Sequence, residues 1–314
     1  MTGFGVRSVM RPLSVAIPAS PPGLVLLDGA LTGMLRLVSR PRDGVECAPV
    51  RVDFEDGTVV GEWVRAPGVT ARGAALLYIH GGAFVACSPR THRGVTAELS
   101  AAAGLPVFAV SYRKAPRFRF PTANNDVWRA YRWLTSEAGG APVAVAGDSA
   151  GGYLAIVTAL TAIAASRRGD GYPPAALLVL SPVTDATLNL ARTRERNRRQ
   201  KDPFAAAAAV SRVVGLYTAG ASAREISVLD ADFRGICPIM IHVGGTEMLL
   251  GDARALHARV KAAGGVSCLH IWPGQVHVFP ALFRYLPQAR MALSLSGAFL
   301  RNALAVGEAH AATQ

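Results

Sequence analysis

The chain has 314 residues, of which 51% are hydrophobic and 17% carry a charge. This composition excludes an intrinsically disordered chain, which would be poor in apolar residues and rich in charged ones, and it excludes collagen-like and coiled-coil classes. The 33 basic and 21 acidic side chains give a formal net charge of +12, which raises nucleic acid and anionic membranes as candidate partners.

Apolar segments of strand length alternate with longer helix-like segments along the chain. Strands are predicted at 45–54, 58–65, 74–80, 105–111, 142–147, 175–181, 238–243 and 266–272, each bounded by turn-forming residues. Helices are predicted at about 91–103, 122–137, 150–167, 250–263 and 287–306. Most of the strands are continuously apolar, which indicates burial on both faces of a parallel sheet, and the alternation predicts an α/β fold.

Two regions interrupt this alternation. Residues 1–44 are Pro-rich with amphipathic pieces, and residues 185–225 contain a basic run. We predict that they form a cap over the sheet, as an N-terminal cap segment (1–44) and a cap insertion (185–225). The core of the fold is then formed by residues 45–184 and 226–314.

The cysteines and apolar windows bear on the cellular compartment. The four cysteines show neither a C-x-x-C pair nor a zinc-ligand spacing, so we expect mostly free, buried thiols. Prolines interrupt the apolar stretch of residues 1–27, which therefore resembles a signal peptide only faintly. The uncharged window 149–166 approaches the length of a membrane span, but a buried core helix is favoured. We expect a cytoplasmic protein, with membrane association and export as alternatives.

The segment 142–152 carries the strongest chemical signal. A buried strand ends in Gly147-Asp-Ser149-Ala-Gly151 and leads directly into a predicted helix. A G-x-S-x-G motif in this context is a nucleophile elbow, in which a tight turn exposes the serine hydroxyl at the edge of a sheet. Ser149 is therefore the candidate nucleophile.

A second motif, His80-Gly81-Gly82, follows the predicted strand 74–80. A tetrahedral oxyanion needs preorganised N–H donors, and we predict that Gly81, Gly82 and Ala150 supply them. His80 is expected to orient this loop rather than to transfer protons. The alternative is a simple glycine turn with a structural histidine.

A serine nucleophile requires a base and an orienting acid, which follow it in the chain in this type of fold. Of the seven histidines, His277 alone lies on a Pro/Gly loop after the last predicted strand. Glu247 follows the penultimate strand, and Asp252 is its competitor at the start of the next helix. We favour Glu247, because an aspartate at a helix start has an ordinary role as an N-terminal cap.

Taken together, these motifs resemble the hormone-sensitive-lipase-like esterases of bacteria, over about residues 70–300. The blocks 111–116 and 120–126 add to the resemblance. It implies an α/β-hydrolase fold with a mostly parallel, eight-stranded sheet flanked by helices and covered by a helical cap. The chain departs from the family in having Ala83 where a third glycine is usual, and glutamate where the triad acid is more often aspartate.

The resemblance also implies supporting roles. Asp126, paired with Arg113, is expected to belong to a structural network around the oxyanion loop, and Asp148 beside the nucleophile is a further supporting residue. The resemblance favours esters with short to medium acyl chains and makes a homodimer plausible.

We therefore expect a carboxylic ester hydrolase that uses Ser149, His277 and Glu247 and forms an acyl-enzyme. Amide or formamide hydrolysis and deacetylation are the alternatives, and a non-catalytic ligand receptor is a more distant one. Nucleotide and metal motifs are missing from the sequence, so no cofactor and no metal are expected. The basic run 192–201 lacks interleaved aromatics, which argues against nucleic acid and leaves anionic lipid as a candidate contact.

Overall fold

A computed structural model of the chain describes residues 19–70 and 73–311. The strands are β1 (Glu46–Phe54), β2 (Gly57–Arg65), β3 (Ala75–Ile79), β4 (Val107–Val110), β5 (Val143–Asp148), β6 (Leu177–Leu180), β7 (Ile239–Gly244) and β8 (Ser267–Trp272). The α-helices are α1 (Pro21–Val38), α2 (Pro89–Ala103), α3 (Thr122–Glu137), α4 (Ala150–Ser166), α5 (Asn189–Glu195), α6 (Ala207–Thr218), α7 (Leu250–Ala262) and α8 (Pro287–Ala311).

The eight strands form one sheet in the order β1-β2-β4-β3-β5-β6-β7-β8. β1 pairs antiparallel with β2, and β2 antiparallel with β4, while the strands from β4 to β8 are all parallel. The prediction of an α/β fold with a mostly parallel, eight-stranded sheet is confirmed. The carboxyl ends of the parallel strands meet at one edge, where loops from different strands can bring distant residues together.

Burial explains why the central strands are continuously apolar. Every residue of β3, β5 and β7 is buried. Helices α3, α4 and α7 pack on one face of the sheet, and α2 and α8 pack on the other, so both faces of each central strand lie inside an apolar cluster. Helix α4, which follows Ser149, is buried along most of its length, as expected for a core helix.

The described residues of the regions predicted as cap segments contain three α-helices whose bounds the sequence did not predict. Helix α1 lies in the described part of the 1–44 segment, whose residues 1–18 fall outside the described residues. Helices α5 and α6 lie in the 185–225 segment. Helix α1 is long and apolar enough to cross a membrane by length and composition, a test that export signals and core helices also pass.

Candidate active site

Ser149 sits in the tight turn between β5 and α4. Its φ of +53° is a left-handed conformation that costs energy for any residue with a Cβ. A Cβ on Gly147 would lie 2.4 Å from Gly151 O, and one on Gly151 would lie 2.1 Å from Ile79 O, so the turn closes only with glycine at both positions. The turn therefore presents the Ser149 hydroxyl at the carboxyl edge of the sheet.

Loops after β7 and β8 bring an acid and a histidine to this hydroxyl. His277 Nε2 lies 3.0 Å from Ser149 Oγ, and His277 Nδ1 lies 3.5 Å from Glu247 Oε1. The Glu247 side chain is fully buried, whereas 19% of the His277 side chain is exposed. The three predicted residues thus form a continuous chain from a buried carboxylate to an accessible hydroxyl.

Further hydrogen bonds fix the Glu247 carboxylate. Ser181 Oγ donates to Glu247 Oε2 over 2.7 Å, and the Gly244 N–H donates to the same oxygen over 3.0 Å. Ser181 Oγ also accepts the Val278 N–H over 3.0 Å, next to His277. Sequence reasoning missed Ser181, which directly follows β6 and links the acid loop to the histidine loop.

The charges around His277 set its basicity. Burial acts to lower the pKa of His277, but the hydrogen bond and charge of Glu247, with the charges of Asp202 and Asp148, outweigh it and raise that pKa above its ordinary value. Burial raises the pKa of Glu247, and His277 partly offsets the rise. The pair is arranged to stabilise a protonated imidazole.

Asp252, the competing acid, has a different environment. Its Oδ1 accepts the Thr184 N–H over 3.0 Å, the Thr184 hydroxyl over 2.9 Å and the Asp185 N–H over 3.3 Å. Burial raises the pKa of Asp252 to about 6. Of the two acids that the sequence left open, the structure brings Glu247 to His277 and uses Asp252 to tie the start of α7 to the chain after β6.

The glycine loop after β3 differs from expectation at one position. The Gly81 N–H donates to Asp148 Oδ1 over 3.0 Å, so it is not available to an oxyanion as predicted. The N–H groups of Gly82, Ala83 and Ala150 have no acceptor in the part of the chain that the structure describes. Ala83 adopts a φ of +52°, which explains why glycine is usual at this place in the family.

Asp148 holds this loop from beneath. Besides the Gly81 N–H, its Oδ1 accepts the Tyr78 hydroxyl over 2.8 Å and lies 3.3 Å from His92 Nε2. Burial acts to raise the pKa of Asp148, but His92 and Tyr78 outweigh it, and the pKa is lowered. A charged carboxylate therefore anchors the backbone just before Gly82.

His80 has no proton-transfer geometry. Its Nδ1 lies 2.7 Å from Gly81 O, and its ring stacks on Tyr112 with centroids 4.4 Å apart. Burial lowers the pKa of His80 to about 3, so the ring is neutral. The Tyr112 hydroxyl donates to His80 O over 2.9 Å, and the next residue, Arg113, pairs with Asp126 at 2.7 Å. Asp126 thus acts on the loop indirectly, through Arg113 and Tyr112.

Two residues of the 185–225 segment bind the acid loop, and sequence reasoning missed both. Arg194 donates from Nε to Glu247 O and from Nη2 to Gly245 O, each over 3.1 Å. Asp202 Oδ2 accepts the Met248 N–H over 2.7 Å. The only available signal was a charged run with an aspartate after it, which is equally typical of a solvent-exposed segment.

The part of the chain that carries these residues is similar to a known protein family. The family model described as the alpha/beta hydrolase fold matches residues 76–281, which include Ser149, Glu247 and His277. An acetyl-hydrolase of Streptomyces hygroscopicus is 38% identical over 257 residues, covering 80% of this chain and 82% of the relative. The chain belongs to the hormone-sensitive-lipase-like esterases of the α/β-hydrolase fold.

Other relatives of this esterase support the same activity class. The carboxylesterase/phospholipase LipF of Mycobacterium tuberculosis is 34% identical over 283 residues, covering 85% of this chain and 72% of LipF. A crystal structure of an esterase from the bacterial hormone-sensitive lipase family superposes with a TM-score of 0.82 at 32% identity, covering 96% and 98% of the two chains. EstE5 soaked with p-nitrophenyl butyrate superposes with a TM-score of 0.81 at 32% identity, covering 96% and 97%. The esterase is a serine hydrolase of the carboxylesterase type.

Proposed function

We propose that this esterase cleaves carboxylic esters through an acyl-enzyme, with Ser149 as nucleophile, His277 as proton carrier and Glu247 as the orienting acid. The observation that carries the proposal is the 3.0 Å separation between Ser149 Oγ and His277 Nε2, with Glu247 behind the ring. A nucleophile in hydrogen-bond contact with its base, and a base held by a third group, is the arrangement that this chemistry requires.

In the first half-reaction, Ser149 Oγ forms a bond to the ester carbonyl carbon while its proton moves to His277 Nε2. The carbonyl π electrons move to the oxygen and give a tetrahedral oxyanion. The carbon–oxygen bond to the alcohol then breaks, and His277 gives its proton to the departing alcohol. Glu247 stabilises the imidazolium that exists between the two proton transfers.

The second half-reaction repeats these steps with water. His277 removes a proton from water as the water oxygen attacks the acyl carbon. The bond to Ser149 Oγ breaks, and His277 returns the proton to the serine. The carboxylic acid leaves and the free enzyme is restored.

We assign the oxyanion donors to the N–H groups of Gly82, Ala83 and Ala150, because the Gly81 N–H is engaged by Asp148. Ala150 is the first residue of a 17-residue helix, so the helix dipole also favours negative charge at this position. Donors fixed before the substrate arrives stabilise the transition state without a cost of reorganisation.

Short acyl esters are the proposed substrate class. One relative is named an acetyl-hydrolase, and EstE5 was soaked with p-nitrophenyl butyrate. The Tyr217 ring of α6 stacks on Phe84 with centroids 4.3 Å apart, next to the oxyanion loop. This contact supports the 185–225 segment as a cap that bounds the acyl pocket. A series of p-nitrophenyl esters from acetate to palmitate would measure the depth of the pocket.

The deciding experiment compares the wild-type enzyme with Ser149→Ala. The variant should lose p-nitrophenyl butyrate hydrolysis and labelling by a fluorophosphonate probe, while retaining its melting temperature within a few degrees. If the variant still hydrolyses the ester, Ser149 is not the nucleophile. Matched ester and anilide substrates separate ester hydrolysis from the amide alternative, and a wild-type protein that the probe fails to label would favour a receptor.

We infer two further contacts for the esterase. Exposed arginines of the basic run, Arg196, Arg198 and Arg199, are suited to an anionic lipid surface, where each basic side chain contributes about 1 kcal/mol. The second contact is between two copies of the esterase, which we propose to form a homodimer. Sedimentation velocity at two protein concentrations tests the dimer, and co-sedimentation with vesicles tests the lipid contact.

A further inference from the structure

A basic cleft lies between the end of α1 and the start of α2, and the proposed catalytic residues do not line it. The cleft has a volume of about 360 Å³. Ser39, Pro41 and Thr91 line it together with four arginines, which are Arg36, Arg40, Arg90 and Arg93. We call this feature the arginine cleft.

Close packing of two helices forms the floor of the arginine cleft. Ser39, the C-cap of α1, rests directly on α2 at Gly94, where a Cβ would lie 1.8 Å from Ser39 O. Only glycine permits this approach. It buries Ser39 to 3% exposure and fixes the position of Arg36 and Arg40, on either side of it, relative to α2.

Three of the four arginines have no counter-charge among the described residues. Arg93 is held by Glu62, with Nε–Oε1 at 2.8 Å and Nη2–Oε2 at 2.6 Å. The guanidinium groups of Arg36, Arg40 and Arg90 have neither an ion pair nor a hydrogen bond within residues 19–70 and 73–311. Arg36, Arg40 and Arg90 are exposed, so water screens the repulsion between their charges, and an anion bound among them would lower that repulsion further.

An orphaned hydroxyl provides an independent observation. Ser39 Oγ is buried and has no hydrogen-bond partner among the described residues. Buried polar groups are almost always satisfied, and an exception in a native site calls for a ligand or water. Ser39 belongs to the lining of the arginine cleft, but its Oγ packs against Gly94, where a Cβ would lie 2.6 Å from it, so the hydroxyl reaches a ligand in the cleft only when the side chain rotates.

The start of α2 adds a further positive contribution. This 15-residue helix has no acidic residue in its first turn, where Arg90 and Thr91 lie. Its N-terminal N–H groups carry the positive end of the helix dipole, which acidic side chains often neutralise. Here that end faces a cleft lined by arginines.

We propose that the arginine cleft binds the phosphate group of a ligand, with Arg36, Arg40 and Arg90 as ion-pair donors and with Ser39 Oγ as a hydrogen-bond donor once its side chain rotates toward the cleft. Phosphate fits better than a carboxylate, because its three or four oxygens can accept from several guanidinium forks at once and its charge approaches that of the site. The site requires no chemistry and is independent of ester hydrolysis.

Two sources of the phosphate are compatible with the surroundings. A soluble phosphomonoester would bind in the cleft alone. A phospholipid headgroup would bind in the cleft while the exposed apolar side chains of α1 contact the acyl region; Val25, Leu26 and Leu37 are 73%, 66% and 73% exposed. The phosphate chemistry is common to both, and the experiment is arranged to separate them.

The first arm titrates the full chain with inorganic phosphate and with glycerol 3-phosphate by calorimetry, in 150 mM chloride. We expect saturable 1:1 binding that Arg40→Gln/Arg90→Gln weakens at least tenfold. Arg198→Gln/Arg199→Gln removes the same charge from the exposed basic run and should change the affinity less than twofold. Equal weakening by the two double variants, or the lack of saturable binding, overturns the proposal. Unchanged ester hydrolysis in both variants controls for folding.

The second arm tests Ser39 with Ser39→Ala, which should raise the melting temperature of the ligand-free protein and lower its affinity for phosphate. Ser39→Ala removes an unsatisfied buried hydroxyl, so the ligand-free protein should melt at a higher temperature. The same change should weaken phosphate binding at least threefold. A lower melting temperature, or an unchanged affinity, would rule out Ser39 as a donor to the ligand.

The third arm identifies the source. Vesicles of phosphatidylglycerol with phosphatidylcholine are compared with pure phosphatidylcholine vesicles by co-sedimentation. If the ligand is a headgroup, Arg40→Gln/Arg90→Gln weakens binding to the anionic vesicles more than Arg198→Gln/Arg199→Gln does, and added glycerol 3-phosphate competes. If vesicle binding is unaffected while the first arm shows binding, the ligand is a soluble phosphate.

Discussion

Arg194 donates from its guanidinium to the carbonyl oxygen of Glu247 over 3.1 Å, while the side chain of Glu247 faces His277. A second bond, from Arg194 Nη2 to Gly245 O, holds the same loop two residues earlier. The residue that carries the proposed triad acid is therefore fixed on its main-chain side by the 185–225 segment. Within the basic run, Arg194 has a structural task that its exposed neighbours do not share.

We expect Arg194→Met to lower kcat about tenfold with little change in KM. Hydrogen bonds from a charged group contribute about 1.5–3 kcal/mol. If their loss misplaces the triad, each 1.4 kcal/mol added to the activation free energy slows the reaction about tenfold. Arg192→Met is the matched control, because Arg192 is exposed and its guanidinium donates to Asn189 Oδ1 over 2.8 Å rather than to the acid loop. Arg194→Lys should recover part of the activity. Equal kcat and KM values for the Arg192 and Arg194 variants would show that the hydrogen bonds from Arg194 do not position Glu247.

A second pair of variants distinguishes the two acids. Glu247→Gln should reduce kcat by about 10³–10⁴, because a neutral amide neither orients the imidazole nor stabilises its charge. Asp252→Asn should retain activity within about fivefold, since the asparagine oxygen can still accept from Thr184. Steady-state kinetics on p-nitrophenyl butyrate, with a thermal melt of each variant, measure both effects. A severe loss confined to the Asp252 variant would transfer the acid role to Asp252.

The pH profile should reflect the raised pKa of His277. The reaction needs the neutral ring, so activity disappears as the pH falls through that pKa. Because Glu247, Asp202 and Asp148 outweigh burial, the acidic limb of kcat/KM should lie above about 6.5, the ordinary imidazole value.

The contribution of Asp202 to this profile can be isolated. Asp202→Asn removes one negative charge that stabilises the protonated ring, so the acidic limb should move to lower pH. Asp252→Asn is the control, because it also neutralises a buried aspartate, whereas Asp252 is not among the charges that raise the pKa of His277. If the acidic limb of kcat/KM lies at the same pH in Asp202→Asn as in the wild-type enzyme, the electrostatic role of Asp202 is contradicted.

The strands and core helices were predictable from the sequence because burial on two faces leaves a continuous signal. The predicted strand at 142–147 differs from β5 by one residue at each end, and the predicted helix at 150–167 differs from α4 by one residue at its C-terminal end. Helix α5 gave no such signal. It begins after Leu188, which has a φ of +56° and supplies no side-chain cap, and a seven-residue helix shows little periodicity.

The contacts around the triad were predictable only in part. Ser149 and His277 have local motifs, because the tight turn and the late loop impose their own sequence requirements. Ser181, Arg194 and Asp202 act across the fold, and their hydrogen bonds to the acid loop leave no local pattern. The Gly81 N–H was misassigned for the same reason: its acceptor, Asp148, lies 67 positions away in the chain.

The adjacent loop residues Gly82 and Ala83 should respond in opposite directions to a change of one methyl group. Gly82 has a φ of +114°, and a Cβ there would lie 2.2 Å from Ala86 O. Gly82→Ala should therefore distort the loop and lower kcat/KM at least 100-fold. Ala83 already tolerates a φ of +52°. Ala83→Gly removes this strain and should retain activity while raising stability by up to about 1 kcal/mol.

Urea unfolding and p-nitrophenyl butyrate kinetics on the same two variants test this prediction, with the urea midpoint reporting stability at an unchanged slope. The opposite direction of the two changes makes the test specific, since both alter one methyl group in adjacent residues. A Gly82→Ala enzyme with normal kcat/KM would remove Gly82 from the oxyanion site. A destabilised Ala83→Gly would show that the lost backbone entropy exceeds the strain that the left-handed alanine stores.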